Sequence, residues 1–424
     1  MATVLLRNTT LIDGTGNDAV PDAAVLVDGD KISWAGPEAE IPTTAADTVS
    51  VDLGGNTICP GFFDCHVHLS LPGPSGSPLE MAMRPASYRY FELIKRLKTT
   101  LENGVTTVRD LMGVDAGVRD AVADGLIDGP RLLVSVNLIS QSAGHADFHL
   151  PCGVDLTPLV GGVLVDTVDA ARQRARELIR EGADVLKVAS SGGITSPHDD
   201  PTYLGMRREM IAAIVEEGQN YGGRRVAAHA QGIAGIRAAL DAGVHSIEHG
   251  YALDDELCQQ MVAQGTFLVP TLLETMTPVT ATAAGAAKSA KWHALSHESI
   301  AVAVANGVKI GVGTDAGLTP AHGTNLKELG LLVRFGGMTP MQAIVAGTRA
   351  SAQLCGVDDT LGTVEAGKAA DLVVVRGNPL DDIDSVGDPD NILLVIKGGR
   401  TVGNRGGFTT TPDRARPPNR QLPP

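Results

Sequence analysis

PGFFDCHVHLS, residues 60–70, is a β-favouring apolar run that ends in two histidines separated by one residue. Strand side chains alternate, so His66 and His68 fall on one face. Imidazoles paired in this way suit zinc, although an HxH on its own is equally a pair of solvated or hydrogen-bonded histidines. Upstream of it, residues 4–14 (VLLRNTTLIDG), 23–36 (AAVLVDGDKISWAG) and 48–61 (TVSVDLGGNTICPG) have strand texture closed by Gly, Asp or Asn, the pattern of a small β-domain. Downstream, from Gly61 to about Ala352, short apolar runs alternate with helical patterns, as in βα units around a parallel sheet.

Eight runs read as the strands of that sheet: FFDCHVHLS (62–70), VTTVRDL (105–111), RLLVSVNLIS (131–140), DVLKVASS (184–191), RVAAHAQ (225–231), SIEHG (246–250), FLVPTL (267–272) and KIGVGTDAG (309–317). Helical stretches such as 169–182 and 206–222 lie between them, each closing on a glycine. The expected fold is α/β, a closed (β/α)8 barrel over residues 61–355. ADLVVVRG (370–377) and ILLVIKGGRTVG (392–403) return to strand texture, so a small β-sandwich domain is expected from residues 1–60 plus 356–424. Residues 403–424, rich in Pro, Arg, Thr and Asn, read as a tail that is loose or lies along another surface.

The 424 residues are 43% hydrophobic and 20% charged, ordinary for a globular protein. A formal charge of −15 repels phosphate backbones and anionic membrane surfaces, which excludes nucleic acid and membrane as partners and leaves a small molecule or a dipeptide. Five cysteines without a CxxC pair make no disulfide framework, and no cationic leader runs into an apolar stretch. A cytoplasmic protein is expected.

Active sites of barrels gather at the C-terminal ends of strands. His66 and His68 lie at such an end, and so do His229 in RVAAHA, His249 in SIEHG and Asp315 in GVGTDAG. Any one could be structural; a coincidence of all of them is improbable. Lys187, amid Val, Leu and Ala in DVLKVASS, cannot stay charged cheaply in a barrel core. It is either a Schiff-base or ion-paired lysine, or a neutral amine that has taken up CO₂ as a carbamate bridging two divalent ions.

These motifs together resemble the amidohydrolase superfamily: PGFFDCHVHL, VLKV, AAHA, SIEHG, GVGTDAG, and GTVEAGKAADLVVVRGNPLDDI (362–383) for the return into the β-domain. KVASSGGITSP, HAQG, HGTNLKELGLLV and MTPMQAIVAGTRASAQLCG are similar to the imidazolonepropionase-related branch of metal-dependent dipeptidases, prolidases and ochratoxin amidohydrolases. The resemblance implies a binuclear centre, zinc being the expected metal. His66, His68 and Asp315 would hold one ion, His229 and His249 the other, and N6-carboxylated Lys187 would bridge them. It further implies that a water activated there attacks an amide carbonyl while Asp315 moves the proton to the departing amine. His145, in QSAGHADFH, matches a histidine of the family that lies over the site and can bond the carbonyl oxygen, or else it only orders its loop. Asp147 and His149 beside it read as loop scaffolding.

The implied activity is hydrolysis of Xaa-Pro, Xaa-Arg or Xaa-Lys dipeptides, N-acyl amino acids or ochratoxin A by a homo-oligomer. A cyclic amide, lactone or carbamate is the alternative substrate, and a non-catalytic scaffold the alternative role. Ser191, His198 and Tyr203, in SSGGITSPHDDPTY (190–203), and Arg84, whose guanidinium could grip a carboxylate, are the remaining substrate-binding candidates. Gln231 joins them as a departure, since dipeptide-cleaving relatives often carry Tyr two residues after the equivalent of His229. His293 and His297, four apart on an outer helix, are expected at the surface.

Overall fold

The computed structural model describes residues 3–74, 78–195, 199–276 and 283–410. Five strands precede the barrel: β1 (Thr3–Leu11), β2 (Val20–Asp28), β3 (Lys31–Pro37), β4 (Val49–Asp52) and β5 (Thr57–Pro60). The barrel carries β6 (Phe62–Val67), β7 (Val105–Asp110), β8 (Arg131–Val134), β9 (Leu138–Ser140), β10 (Gly162–Leu164), β11 (Val185–Ala189), β12 (Arg225–Ala230), β13 (Ser246–His249), β14 (Phe267–Val269) and β15 (Lys309–Ile310). After it come β16 (Leu372–Val375), β17 (Ile392–Lys397) and β18 (Arg400–Asn404).

Both chain ends share one sheet of order β18-β17-β16-β5-β1-β2-β3, with β4 also on β1. The ends meet at β5, which runs parallel to β1 and antiparallel to β16. The hydrogen bonding is that of one continuous sheet. β16 is buried on both faces: Leu372 and Val374 enter the apolar cluster of the β-unit, while Val373 and Val375 enter the barrel's cluster. Gly61 is the link from β5 into β6. A Cβ there would lie 2.1 Å from Thr106 Oγ1, so only glycine lets the strand pass β7.

Parallel ladders β6-β7-β8 and β9-β11-β12-β13-β14-β15 form the barrel wall. Hydrogen bonds close it at both joins: Cys65 N–H donates to Val312 O (2.7 Å) and His68 N–H to Ala316 O (2.8 Å), while Asp184 N–H donates to Val134 O (2.8 Å). The third expected strand, 131–140, is broken into β8 and β9 at Val136, which adopts φ 65°. There the strand stops pairing with β7 and Val136 O instead accepts Gly113 N–H at 2.9 Å.

The helices behave as their periodicity requires. Val168–Arg180 buries Ala171, Ala175 and Leu178 along one stripe, Thr167 caps its start by accepting from Ala170 N–H, and Gly182 follows its end at φ 94°. The expected loose tail begins later than Gly403. β18 pairs with β17, Arg405 donates to Glu102 O and Asn103 Oδ1 at 2.7 Å each, and Phe408 packs on the β-unit's cluster. Residues 411–424 lie outside the described residues. Among the described residues no helix is long and apolar enough to cross a membrane.

Candidate metal centre

Five strand ends deliver the titratable groups. β6 brings His66 and His68, β11 brings Lys187, β12 His229 and β13 His249, while Asp315 stands on the segment that follows β15 and is hydrogen-bonded through its N–H to His66 O at 2.8 Å. All six line one cavity of ≈ 230 Å³ together with His145, Gln231, Asp147 and Glu274. Met112, Leu138, Phe148 and Leu318 form its apolar walls. His249 and Asp315 take φ of 74° and 59°, a conformation costing about 1–3 kcal/mol apiece for such residues. The turn after His249 is made by Gly250, whose N–H returns to Ala230 O at 3.0 Å.

The groups are set as ligands are, with their outer atoms tied and their inner atoms open. His66 Nδ1 lies 2.9 Å from Glu248 Oε2, and Glu248 is itself held by Arg109 Nη2 at 2.8 Å. His249 Nδ1 lies 2.7 Å from Thr271 Oγ1. His229 Nε2 lies 3.1 Å from Gly192 O, and its ring stacks on His145 with centroids 3.9 Å apart. His68 Nε2 comes within 2.9 Å of Asp315 Oδ1, a buried oxygen that meets no other hydrogen-bond partner among the described residues. Lys187 Nζ meets none among them.

Burial decides the protonation. It drives His249 down to about 3 and holds His66 and His229 well below the usual histidine range, so all three are neutral imidazoles, the form that binds metal. Burial also pushes Lys187 down to about 8, with Glu248 and Asp315 opposing it. For Asp315 burial works against ionisation, but the His66 and His68 rings outweigh it and hold the carboxyl well below its ordinary value. An ionised carboxylate whose Oδ1 has imidazoles beside it and no other hydrogen-bond partner among the described residues calls for a cation between the donors. His66, His68 and Asp315 offer ligand atoms within 4.8 Å of one another, and so do His249, Glu274 and Asp315. The donor set fits divalent ions.

Not every expected site residue arrives. Ser191 is buried behind the wall, where its hydroxyl accepts Gln231 N–H (2.9 Å) and donates to Gly192 O (2.7 Å). Tyr203 is 59% exposed and lies off the cavity lining. Arg84 does not reach the cavity either: it is exposed, 3.8 Å from Glu92 and over the Tyr88 ring, because its loop turns outward into helix Ala86–Glu102. His198 lies outside the described residues. His149 scaffolds its loop as expected, with Nδ1 2.7 Å from Asp147 Oδ1, but Asp147 also faces the cavity. His293 and His297 correct the expectation of a surface pair. His293 is buried, and His297 stacks on Phe335 and bonds Thr275.

Glu274 was missed. Nothing in FLVPTLLE marks it except that it lies just past the end of β14. It is 1% exposed and lies on the short helix Leu272–Thr275, whose Leu272 and Leu273 N–H groups donate to Glu328 at 2.7 Å each.

The Amidohydrolase family profile matches residues 57–402. Ochratoxinase of Aspergillus niger is 34% identical over 411 residues, covering 92% of this chain and 84% of its own. The crystal structure of that enzyme aligns with TM-score 0.86 and 30% identity over 96% of either chain. A prolidase complexed with N-methylphosphonate-L-proline aligns with TM-score 0.86 at 29% identity over 95% of this chain and 100% of its own. A Xaa-Pro dipeptidase with bound methionine gives 0.85 at 30%, over 94% and 99%.

Proposed function

The chain belongs to the amidohydrolase family, and from that premise we propose that it is a binuclear metal-dependent hydrolase cleaving the amide bond of dipeptides or N-acyl amino acids. The observation that carries this reading is Lys187. It is a lysine 1% exposed, without a hydrogen-bond partner among the described residues, in the cavity that His66, His68, His229, His249 and Asp315 also line. A neutral amine there can add CO₂ and release a proton, and the resulting carbamate would offer two oxygens to ions on either side of it. His66, His68 and Asp315 would then hold one ion and His229 with His249 the other, bridged by N6-carboxylated Lys187. Zinc is the expected metal. Such ions supply acidification of a water and polarisation of the amide carbonyl.

The chain's own groups do the rest. Asp315 receives the proton of the attacking water and returns it to the departing amine. His145, oriented by its stack on His229 and by Asp199 Oδ2 at 3.4 Å from its Nδ1, donates to the carbonyl oxygen as charge grows there. Gln231 has its Oε1 committed to Ile194 N–H (3.1 Å), which leaves its NH₂ donors for a substrate carboxylate. The apolar walls receive an aliphatic or aromatic side chain. The same reading assigns residues 61–355 to catalysis and residues 1–60 with 356–424 to a companion β-domain.

The test is a panel of Xaa-Pro and Xaa-Arg dipeptides, N-acyl amino acids and ochratoxin A beside hydantoin-type rings and lactones, with zinc-loaded protein. Turnover of the open amides is expected. Turnover of the rings alone overturns the reading.

A further inference from the structure

The second ligand triangle contains a residue for which the proposed centre has no use. Glu274 lines the cavity, and its carboxylate, His249 and Asp315 each place a donor atom within 4.8 Å of the others. Two carboxylates that meet at a fully buried position repel unless a proton or a cation stands between them. Asp315 belongs to this triangle as well as to the one with His66 and His68, so its carboxylate stands between the two positions.

The surroundings aim Glu274 as a ligand is aimed. Tyr251, itself fully buried, donates its O–H to Glu274 Oε2 at 2.9 Å. Thr271 Oγ1, one residue before the short helix, occupies His249 Nδ1 and so leaves the other ring nitrogen of His249 for the cavity. The backbone that carries Glu274 is pinned by Glu328 through two N–H bonds, and Thr271 holds φ 50° to make the turn. These are the outer contacts that fix ligand orientation in metal sites.

We propose that Glu274 is a further protein donor of this centre, closing a cation position with His249 and Asp315, and that Tyr251 orients it. The inference rests on the binuclear reading above. It makes the second ion carboxylate-rich, which favours harder divalent ions there over a site built from imidazoles alone.

The experiment measures metal content of the full-length protein after loading with zinc or manganese and dialysis, with affinities from chelator competition. Wild type is expected to retain two ions per chain, whereas Glu274→Gln should retain one, with the remaining ion bound about as tightly as before. Tyr251→Phe should keep two but weaken one by ~10-fold. Glu274→Asp, which keeps the charge on a shorter arm, should also weaken one ion by ~10-fold, and it serves if the glutamine variant does not fold. Two ions in Glu274→Gln with wild-type affinities overturn the inference and leave the binuclear reading standing. A wild type that cannot retain two ions overturns both.

Discussion

His66 Nδ1 and Glu248 Oε2 stand 2.9 Å apart with both side chains shut off from solvent, and Glu248 in turn meets Arg109 Nη2 at 2.8 Å. The carboxylate thus sets the imidazole's orientation, turning the other ring nitrogen towards the cavity, and neutralises the guanidinium. Removing it would strand Arg109 as an unpaired buried charge. Glu248→Ala is expected to destabilise the fold by ~3–5 kcal/mol and to weaken metal binding by ~10–100-fold. Glu248→Gln also leaves the Arg109 charge unpaired but still accepts a hydrogen bond from it, so it should lose less than Glu248→Ala. Denaturant unfolding and chelator competition read the two effects separately, and equal losses in both variants would mean that the charge of Glu248, which both remove, carries the whole effect and its acceptor oxygens none of it.

Lys187→Ala should strip both metal and activity, because no other group on β11 reaches the centre. Short carboxylic acids such as acetate or propionate fit the space left by the side chain and should restore part of the activity. Metal analysis and turnover with and without the added acid check this. Undiminished activity in the unrescued variant refutes the bridging role.

A Cβ on Gly193 would stand 2.2 Å from His145 Cε1 and 2.4 Å from Nδ1. Gly193→Ala therefore tests His145 without touching it. The ring must move off its stack with His229, and kcat is expected to fall by ~100-fold, the scale of losing one donor to a developing oxyanion. Metal content should not change. Retained kcat would put His145 back among residues that only order their loop.

Away from the centre, burial holds His293 down at about 4, with His297 adding to it. The folded chain then binds fewer protons at this position than the unfolded chain between about 4 and the ordinary 6.5, so stability falls as pH drops through that window. His293→Gln removes the titration. Subtracting its unfolding free energies from those of wild type across pH 4 to 6.5 should leave a residual slope of that sign. Parallel curves would show that His293 protonates as freely in the fold as outside it.

The sequence carried the barrel and the residues gathered at its strand ends because both are written in short-range pattern. A strand-end histidine needs only its own strand and the turn after it to be placed, and His66, His68, Lys187, His229, His249 and Asp315 all arrive in one cavity. What stayed illegible depends on distant backbone. Val136 breaks a strand in which Leu, Val and Ile predominate, because the carbonyl of Val136 and the side chain of Asn137 bond to Gly113 and Gly161 instead. Glu274 is one acid on a four-residue helix, placed by Glu328 more than fifty positions away. His293 and His297 sit on a helix, Ala283–Ala305, so rich in alanine that no polar stripe marks its outward face. Arg84 was chosen for following the first strand closely, but its segment leads away from the strand end it follows.

If the substrate is the proposed dipeptide or N-acyl amino acid, its carboxylate is met by something other than Arg84, and among the described residues Gln231 is the lining side chain with free amide donors. Arg84→Ala should accordingly leave kcat/KM within about twofold, as for other exposed side chains. Gln231→Leu keeps the volume and removes the donors. A contact made equally in the bound substrate and in the transition state lowers KM and leaves kcat alone, so this variant should raise KM by ~10-fold, the scale of a hydrogen bond to a charged group. The decisive comparison uses the same substrate with its carboxylate converted to a carboxamide. Wild type should discriminate against the carboxamide, and Gln231→Leu should discriminate far less. If the substitution penalises both substrates alike, Gln231 shapes the loop through Ile194 and the carboxylate is recognised elsewhere.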